Sequence, residues 1–331
     1  MQITPRPIAG RAVNPVGLGC MSLSWAYGTP PSDEDGARLL ERSLELGYDH
    51  LDTARIYGLG HNETLIGKTL SARRDEFFLA SKTGIIVDGD KRRIDCRPET
   101  ICTALDESLR LLNTDRIDLY YLHRRDFTVP IEDSIGALAD LVAEGKIGSI
   151  GLSEMSADTL RKAAAVHPIA AMQTEYSLMT RNPEIAVLDA CRELGTTFVA
   201  FSPVGRGALA GGVHDAGELG VKDIRRTMPR FVGDNWAANR ALLDRFEGIA
   251  KREGVTPAQL SLAWVLSRGD HVVTIPGTAS ISHLEENIAR WDWELPAEVS
   301  GELDALINRE TVAGGRYAEA MQRTIDTEEF A

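Results

Sequence analysis

The chain has 331 residues, 43% of them hydrophobic and 26% charged, with a formal net charge of −13. This balance supplies enough apolar material for a sizeable core, and the acidic excess argues against a general nucleic-acid or anionic-membrane surface. Cys20, Cys96, Cys102 and Cys191 form no C-x-x-C pair and no metal-ligand spacing, so they read as reduced thiols and no metal is expected. No apolar run reaches the ~18 residues of a membrane span. Residues 1–10 have no signal-like apolar core, because Pro5 and Pro7 interrupt them. The expectation is a cytoplasmic protein without a membrane or nucleic-acid partner.

An apolar run at 16–18 predicts a first strand, with a helix over 34–46 after it. Next come strand 49–52 and helix 62–70, then strand 77–81 and helix 98–112, the latter opened by a proline in its first turn. Strand 117–122 leads to helix 131–144, ended by Gly145. Strand 147–152 precedes helix 157–165, and strand 170–173 precedes helix 184–194. Strand 196–201 with helix 237–253, and strand 272–275 with helix 283–289, complete eight strand–helix units. Such alternation implies a parallel sheet with helices outside it. Eight units without a compositional break favour a closed (β/α)8 TIM barrel, one domain over 1–331. No G-x-G-x-x-G follows the first strand, as an open dinucleotide-binding sheet would usually have.

Some segments fall outside the repeat. Residues 1–13 precede the first strand and can plug the bottom of the barrel. A Gly-rich insertion covers 204–236 after strand seven, an extra helix 256–268 precedes strand eight, and a polar tail starts at Asn308. Long loops on a barrel are more often functional than accidental. Disorder is the alternative for the tail.

Barrel active sites lie at the C-terminal ends of the strands. Strand two ends at Asp52, with Tyr57 five residues on; strand three ends at Lys82 and strand four at His123. Singly, Asp52 also reads as a turn cap, Tyr57 as a rim aromatic, Lys82 as a solvated cation and His123 as a satisfied strand-end group. On successive strands at one end of a barrel, the four are better read together as a site. Reduction of a carbonyl needs a hydride on carbon and a proton on oxygen. A tyrosine, of pKa about 10, is a poor acid at neutral pH unless a neighbouring cation stabilises its anion. Lys82 would be that cation, Asp52 would hold it charged, and His123 would polarise the carbonyl oxygen.

The segment 47–58, GYDHLDTARIYG, resembles the aldo-keto reductase signature. FLASKT (78–83) is similar to that family's lysine strand and DLYYLH (118–123) to its histidine strand. GLS (151–153), Gln173, FSP (201–203) and IPG (275–277) match later landmarks. The resemblance runs from about residue 14 to 290, and its motifs are far more specific together than singly. It implies an NAD(P)H-dependent reductase of aldehydes or ketones, of the bacterial type, with Asp52, Tyr57, Lys82 and His123 as catalytic residues. It also implies that Ser153 and Gln173 hold the nicotinamide carboxamide and that Phe201 stacks on its ring. Ser202, Pro203, Gly205, Arg206 and Gly207 would form the pyrophosphate loop, and Glu286 and Asn287 would meet adenine. Pro276, Gly277, Thr278, Ser280 and His283 would flank the ribose and its phosphate.

Two positions depart from the family pattern. Many members have asparagine where Glu154 stands, and a carboxylate cannot donate as an amide does, so the carboxamide contact is expected to shift. Many members also place lysine and arginine against the 2′-phosphate of NADPH, where this chain has only hydroxyls and His283 across 277–283. A helix N-terminus with Thr278 and Ser280 still suits a phosphate, and Arg290 is a further candidate. NADP(H) is therefore favoured, with NAD(H) possible.

Candidate substrate residues are Trp25, Tyr27, Ile56, Arg124, Phe127 and Trp236. The partner is expected to be a small aldehyde or ketone. Relatives of this type act on cyclic ketones such as keto forms of sesquiterpenoid toxins, on pyridoxal or on sugars. Two other readings remain: a nucleotide-bound redox-sensing regulatory subunit, and a nonredox aldolase with Lys82 as a Schiff base. A cation held by Asp52 suits the second poorly. The oligomeric state is not legible.

Overall fold

A computed structural model of the chain describes residues 4–89 and 91–330. An antiparallel hairpin, β1 (Arg6–Ile8) and β2 (Arg11–Val13), comes first, followed by β3 (Leu18–Gly19) and α1 (Asp33–Glu45). Ser32 caps α1 by accepting from the Asp35 amide at 3.1 Å, and three acidic residues in its first turn complement the helix dipole. Then come β4 (His50–Asp52), α2 (His61–Leu70), β5 (Phe78–Thr83) and a second hairpin, β6 (Ile85–Asp88) with β7 (Lys91–Ile94). The alternation continues with α3 (Pro98–Leu112), β8 (Leu119–Leu122), α4 (Ile131–Ala143), β9 (Ile150–Ser153), α5 (Ala157–Ala164), β10 (Ile169–Glu175), α6 (Val187–Leu194) and β11 (Thr197–Phe201). After the insertion come α7 (Gly233–Glu253), α8 (Pro257–Leu266), β12 (Val272–Ile275), α9 (Ile281–Ala289), α10 (Ala297–Leu306) and α11 (Glu319–Gln322). The extra helix α8 starts on a full capping box between Thr256 and Gln259, with Pro257 in the first turn.

Eight strands run parallel in the order β12-β11-β10-β9-β8-β5-β4-β3. Bridges from Val16 to Thr274 and from Gly19 to Gly277 close β3 onto β12, so the sheet is a (β/α)8 barrel. The first strand starts two residues later than its apolar run and is shorter, since Val16 contributes only a bridge.

Alternation along the strands places every second side chain inside the barrel. Phe78, Ala80, Leu119, Tyr121, Ala171, Val199, Val273 and Ile275 form this inner core, and Ile8 and Val13 of the first hairpin pack beneath them. Residues 6–13 therefore plug the bottom. Gly151 makes room for Tyr121, because a Cβ there would lie 2.4 Å from its ring. Continuing the same rows by two residues brings Asp52, Lys82, His123, Ser153, Gln173 and Phe201 to the upper layer. Chain periodicity thus sets the strand-borne part of the site's floor.

The tail is ordered. Asp326 accepts from Thr159 Oγ1 at 2.6 Å, and Glu328 accepts from the Ala157 amide at 2.7 Å, at the N-terminus of α5. A carboxylate there meets the helix's free N–H groups and positive dipole end. Among the described residues no helix is long and apolar enough to cross a membrane.

Candidate active site

At the C-terminal end of the barrel the Lys82 ammonium, fully buried, donates to Asp52 Oδ1 and to the Thr53 carbonyl at 2.8 Å. Gln173 Nε2 donates to the other Asp52 oxygen at 2.7 Å, so both carboxylate oxygens are engaged. Tyr57 follows β4 on a short helical turn. The loop before it is tied down by Thr53, whose hydroxyl donates to Asn62 Oδ1 at 2.6 Å. Lys82 Nζ lies 5.2 Å from the centre of the Tyr57 ring, and the Tyr57 and His123 rings meet edge-on at 6.0 Å. The four residues expected to act together are thus brought together.

Their ionisation follows from burial and charge. Burial pulls Lys82 down, but Asp52 and Tyr57 outweigh it, and the ammonium is held above its ordinary value. Burial pushes the Tyr57 phenol above its ordinary value, with Lys82 opposing. Burial, with Arg124 and Lys82 adding to it, holds His123 well below the usual histidine range, so its ring is neutral. A neutral imidazole donates through one nitrogen only.

Above this cluster opens a cavity of about 710 Å³. Asp52, Tyr57 and His123 line its floor, with Ser153, Gln173 and Phe201 beside them. Lys82 lies behind them and does not line it. A groove then runs past Ser202, Pro203, Arg206 and Gly207 to Pro276, Gly277, Thr278, Ser280, His283, Glu286 and Asn287. In the loop after β11, Ser202 (φ 49), Gly205 (φ 56), Arg206 (φ 57) and Gly207 (φ 91) take left-handed conformations, a run of turns that presents backbone N–H groups. Gly205 itself is buried behind the lining. At the far end Ser280 caps α9, accepting from the His283 amide, and the Thr278 hydroxyl accepts from the Ser280 amide at 3.0 Å. A polar floor, an amide-rich turn and a helix N-terminus in one groove fit a nicotinamide dinucleotide.

Trp25, Tyr27, Ile56 and Arg124 line the substrate end, as expected. Phe127 and Trp236 do not. Phe127 is 60% exposed, with the Arg125 guanidinium 5.3 Å from its ring. Trp236 is buried against Phe231, with ring centres 5.3 Å apart, in the core beneath α7. Arg290 is also absent from the lining. Conversely, Ile85 and Arg92 of the second hairpin, Ile224 and Arg225 of the insertion, and Tyr317, Ala318 and Met321 of the tail line the cavity without having been expected there. The hairpin was detectable, since Asp88-Gly89 between two short runs is a turn signal. The tail residues carry no comparable signal.

Glu154 (φ 57) is wholly buried and turned away from the cavity. It pairs with Arg316 of the tail and accepts from the Glu175 amide at 2.9 Å. Its place after Ser153 therefore serves the tail, not a carboxamide. Glu175 in turn accepts from Arg316 Nε at 3.0 Å and from Arg206, which also reaches the Tyr317 hydroxyl at 2.9 Å. Burial pushes Glu175 up, but Arg206 and Arg316 more than reverse it and hold the carboxylate well below its usual range.

Residues 15–308 match the Aldo/keto reductase family. The chain belongs to that family. It is 42% identical to "Probable aldo-keto reductase 1" of Glycine max over 311 residues, 93% of this chain and 89% of the relative. It is 41% identical over 324 residues to an aldo-keto reductase of Schizosaccharomyces pombe named yakc and NADP(+), covering 96% and 95% of the two chains. Among solved structures, a glycerol dehydrogenase from Gluconobacter oxydans superposes with a TM-score of 0.85 at 26% identity, over 100% of this chain and 98% of that one. As an aldo-keto reductase the chain is a nicotinamide-dependent oxidoreductase acting on carbonyl groups.

Proposed function

We propose that this aldo-keto reductase reduces an aldehyde or ketone with NADPH and that Tyr57 delivers the proton. The observation that carries the reading is the Asp52–Lys82–Tyr57–His123 cluster at the floor of a groove suited to a dinucleotide. When bound, the cofactor supplies hydride to the carbonyl carbon. His123, neutral, donates a hydrogen bond to the carbonyl oxygen and fixes its direction. Tyr57 gives its hydroxyl proton to that oxygen as negative charge develops there. The resulting phenolate faces the Lys82 ammonium, which Asp52 keeps charged, and regains its proton from solvent. Lys82 suits this role better than Schiff-base chemistry, because Asp52 and the Thr53 carbonyl already bind its ammonium and it does not line the cavity.

Preference for NADPH is supported by the name of the yeast relative and by the hydroxyl-rich start of α9. Fluorescence titration should give a lower Kd for NADPH than for NADH, and Ser280→Ala should narrow the gap. Equal affinities that Ser280→Ala leaves unchanged would remove the phosphate from this helix end. The substrate end combines Trp25, Ile56 and Ile85 with Arg92 and Arg124. That lining favours a compact, largely apolar carbonyl compound, and cyclic ketones such as keto sesquiterpenoids fit this class.

The pH dependence follows from the protonation states. Reduction needs the protonated phenol, whose pKa burial raises. The kcat for reduction should therefore stay flat over roughly pH 6–9 and fall only as pH climbs through that raised value. Oxidation of the alcohol, which needs the phenolate, should rise with pH. A fall in the reduction rate as pH rises past about 6.5 would instead mean that His123 works protonated. Tight nucleotide binding with no turnover on any carbonyl would favour the regulatory-subunit reading.

A further inference from the structure

A second cavity, of about 560 Å³, lies on the other side of the tail from the catalytic one. Tyr317 borders both. In a chain of net charge −13, this cavity is lined by four arginines, Arg181, Arg230, Arg309 and Arg316, against two carboxylates, Glu310 and Glu329. Three of the four are already paired. Arg181 binds Glu184 and Asp304, Arg316 binds Glu154 and Glu175, and Arg309 faces Glu310 at 3.9 Å.

Arg230 differs. Among the described residues no carboxylate lies within salt-bridge distance of it. Its Nη1 donates to Thr180 Oγ1 at 2.7 Å and its Nε to the Gly314 carbonyl at 3.3 Å, which leaves three of the five guanidinium hydrogens without a described acceptor. Glu175, the carboxylate that acts on it electrostatically, is already taken by Arg206 and Arg316. Arg230 thus stands beside a cluster in which Arg206 and Arg316 already pair with Glu154 and Glu175, while Glu329 in the same lining accepts from the Asn182 and Gln322 amides. Burial, with Arg316 and Arg206 adding to it, lowers Arg230 to about 10, the direction expected of a cation short of a partner. Arg230 is half-buried with unused donors at the cavity, and a guanidinium fork matches carboxylate and phosphate oxygens in pairs.

We propose that this second cavity is a binding site for a small oxyanion, phosphate or carboxylate, held chiefly by Arg230 with Arg309 at its rim. The bound anion accepts from the guanidinium hydrogens that Arg230 leaves unused. Because Arg230 also holds the Gly314 carbonyl, two residues before Arg316, the anion fastens the strap that carries Tyr317 into the catalytic cavity.

The test is calorimetric titration of the whole protein with inorganic phosphate and, separately, with succinate, each with and without saturating NADPH. The stronger binder identifies the oxyanion. Binding is expected to survive NADPH and to weaken about tenfold or more in Arg230→Met, with a smaller loss in Arg309→Gln. Binding that NADPH abolishes, or that Arg230→Met leaves unchanged, would overturn the proposal and place the anion in the cofactor groove or on the open surface. A wild-type crystal grown with the stronger-binding anion decides the case even if Arg230→Met does not fold: density must touch the Arg230 guanidinium, and its absence there overturns the proposal. Because binding is read directly, the outcome does not depend on which carbonyl compound the enzyme reduces.

Discussion

Tyr57→Phe is expected to lower kcat for carbonyl reduction by about 10²–10⁴-fold, the usual worth of a positioned general acid. Nucleotide Kd should change by no more than about twofold, because the phenol oxygen sits at the floor of the cavity and not along the dinucleotide groove. Steady-state rates and fluorescence titration of the same preparation check both halves. A parallel loss of binding would assign Tyr57 to holding the groove together instead of to proton transfer. Lys82→Met should show the complementary pattern: with the cation gone, the phenolate loses its partner and Asp52 is left as a buried unpaired charge.

The second large effect is expected at Arg316. Its guanidinium is buried between Glu154 and Glu175, and removing one partner of a buried ion pair costs about 3–5 kcal/mol. Arg316→Met leaves Glu154 without its cation, while Glu175 retains Arg206. The tail can detach without melting the barrel, so the loss should appear first as rapid proteolysis near residues 309–325. A rise in KM should accompany it, as Tyr317 and Met321 leave the cavity. Adding Glu154→Met to this variant removes the stranded carboxylate and should restore part of the protease resistance. An intact tail and unchanged KM in Arg316→Met would mean that the Asp326 and Glu328 contacts to α5 suffice alone.

The inner row of the barrel was legible because its period is two. Once Phe78, Ala80, Leu119 and Tyr121 are read as strand residues, Lys82 and His123 can only extend the same face. The signature segment then places Asp52 and Tyr57 one strand away. The rim was less legible, because an aromatic in a loop has no periodicity to aim it. Trp25 and Tyr27 face the cavity, whereas Phe127 faces solvent and Trp236 faces the core beneath its own helix. The tail was the least legible part. Arg316 finds its partners 162 and 141 residues away, at Glu154 and Glu175, and nothing local in a polar segment marks such a pairing. Glu154 illustrates the same limit. The sequence showed only that it cannot donate as the family's usual asparagine does; its left-handed backbone and its pairing with Arg316 tie the carboxylate to the tail.

The central claim, carbonyl reduction by NADPH at the Tyr57 cluster, is tested most directly by following reduced-nicotinamide absorbance when the protein is mixed with NADPH and a panel of aldehydes and cyclic ketones. Consumption of NADPH that depends on the carbonyl compound, matched mole for mole by alcohol and absent in Tyr57→Phe, is the predicted result. NADPH that binds yet stays reduced with every compound, or turnover that Tyr57→Phe leaves intact, would contradict it.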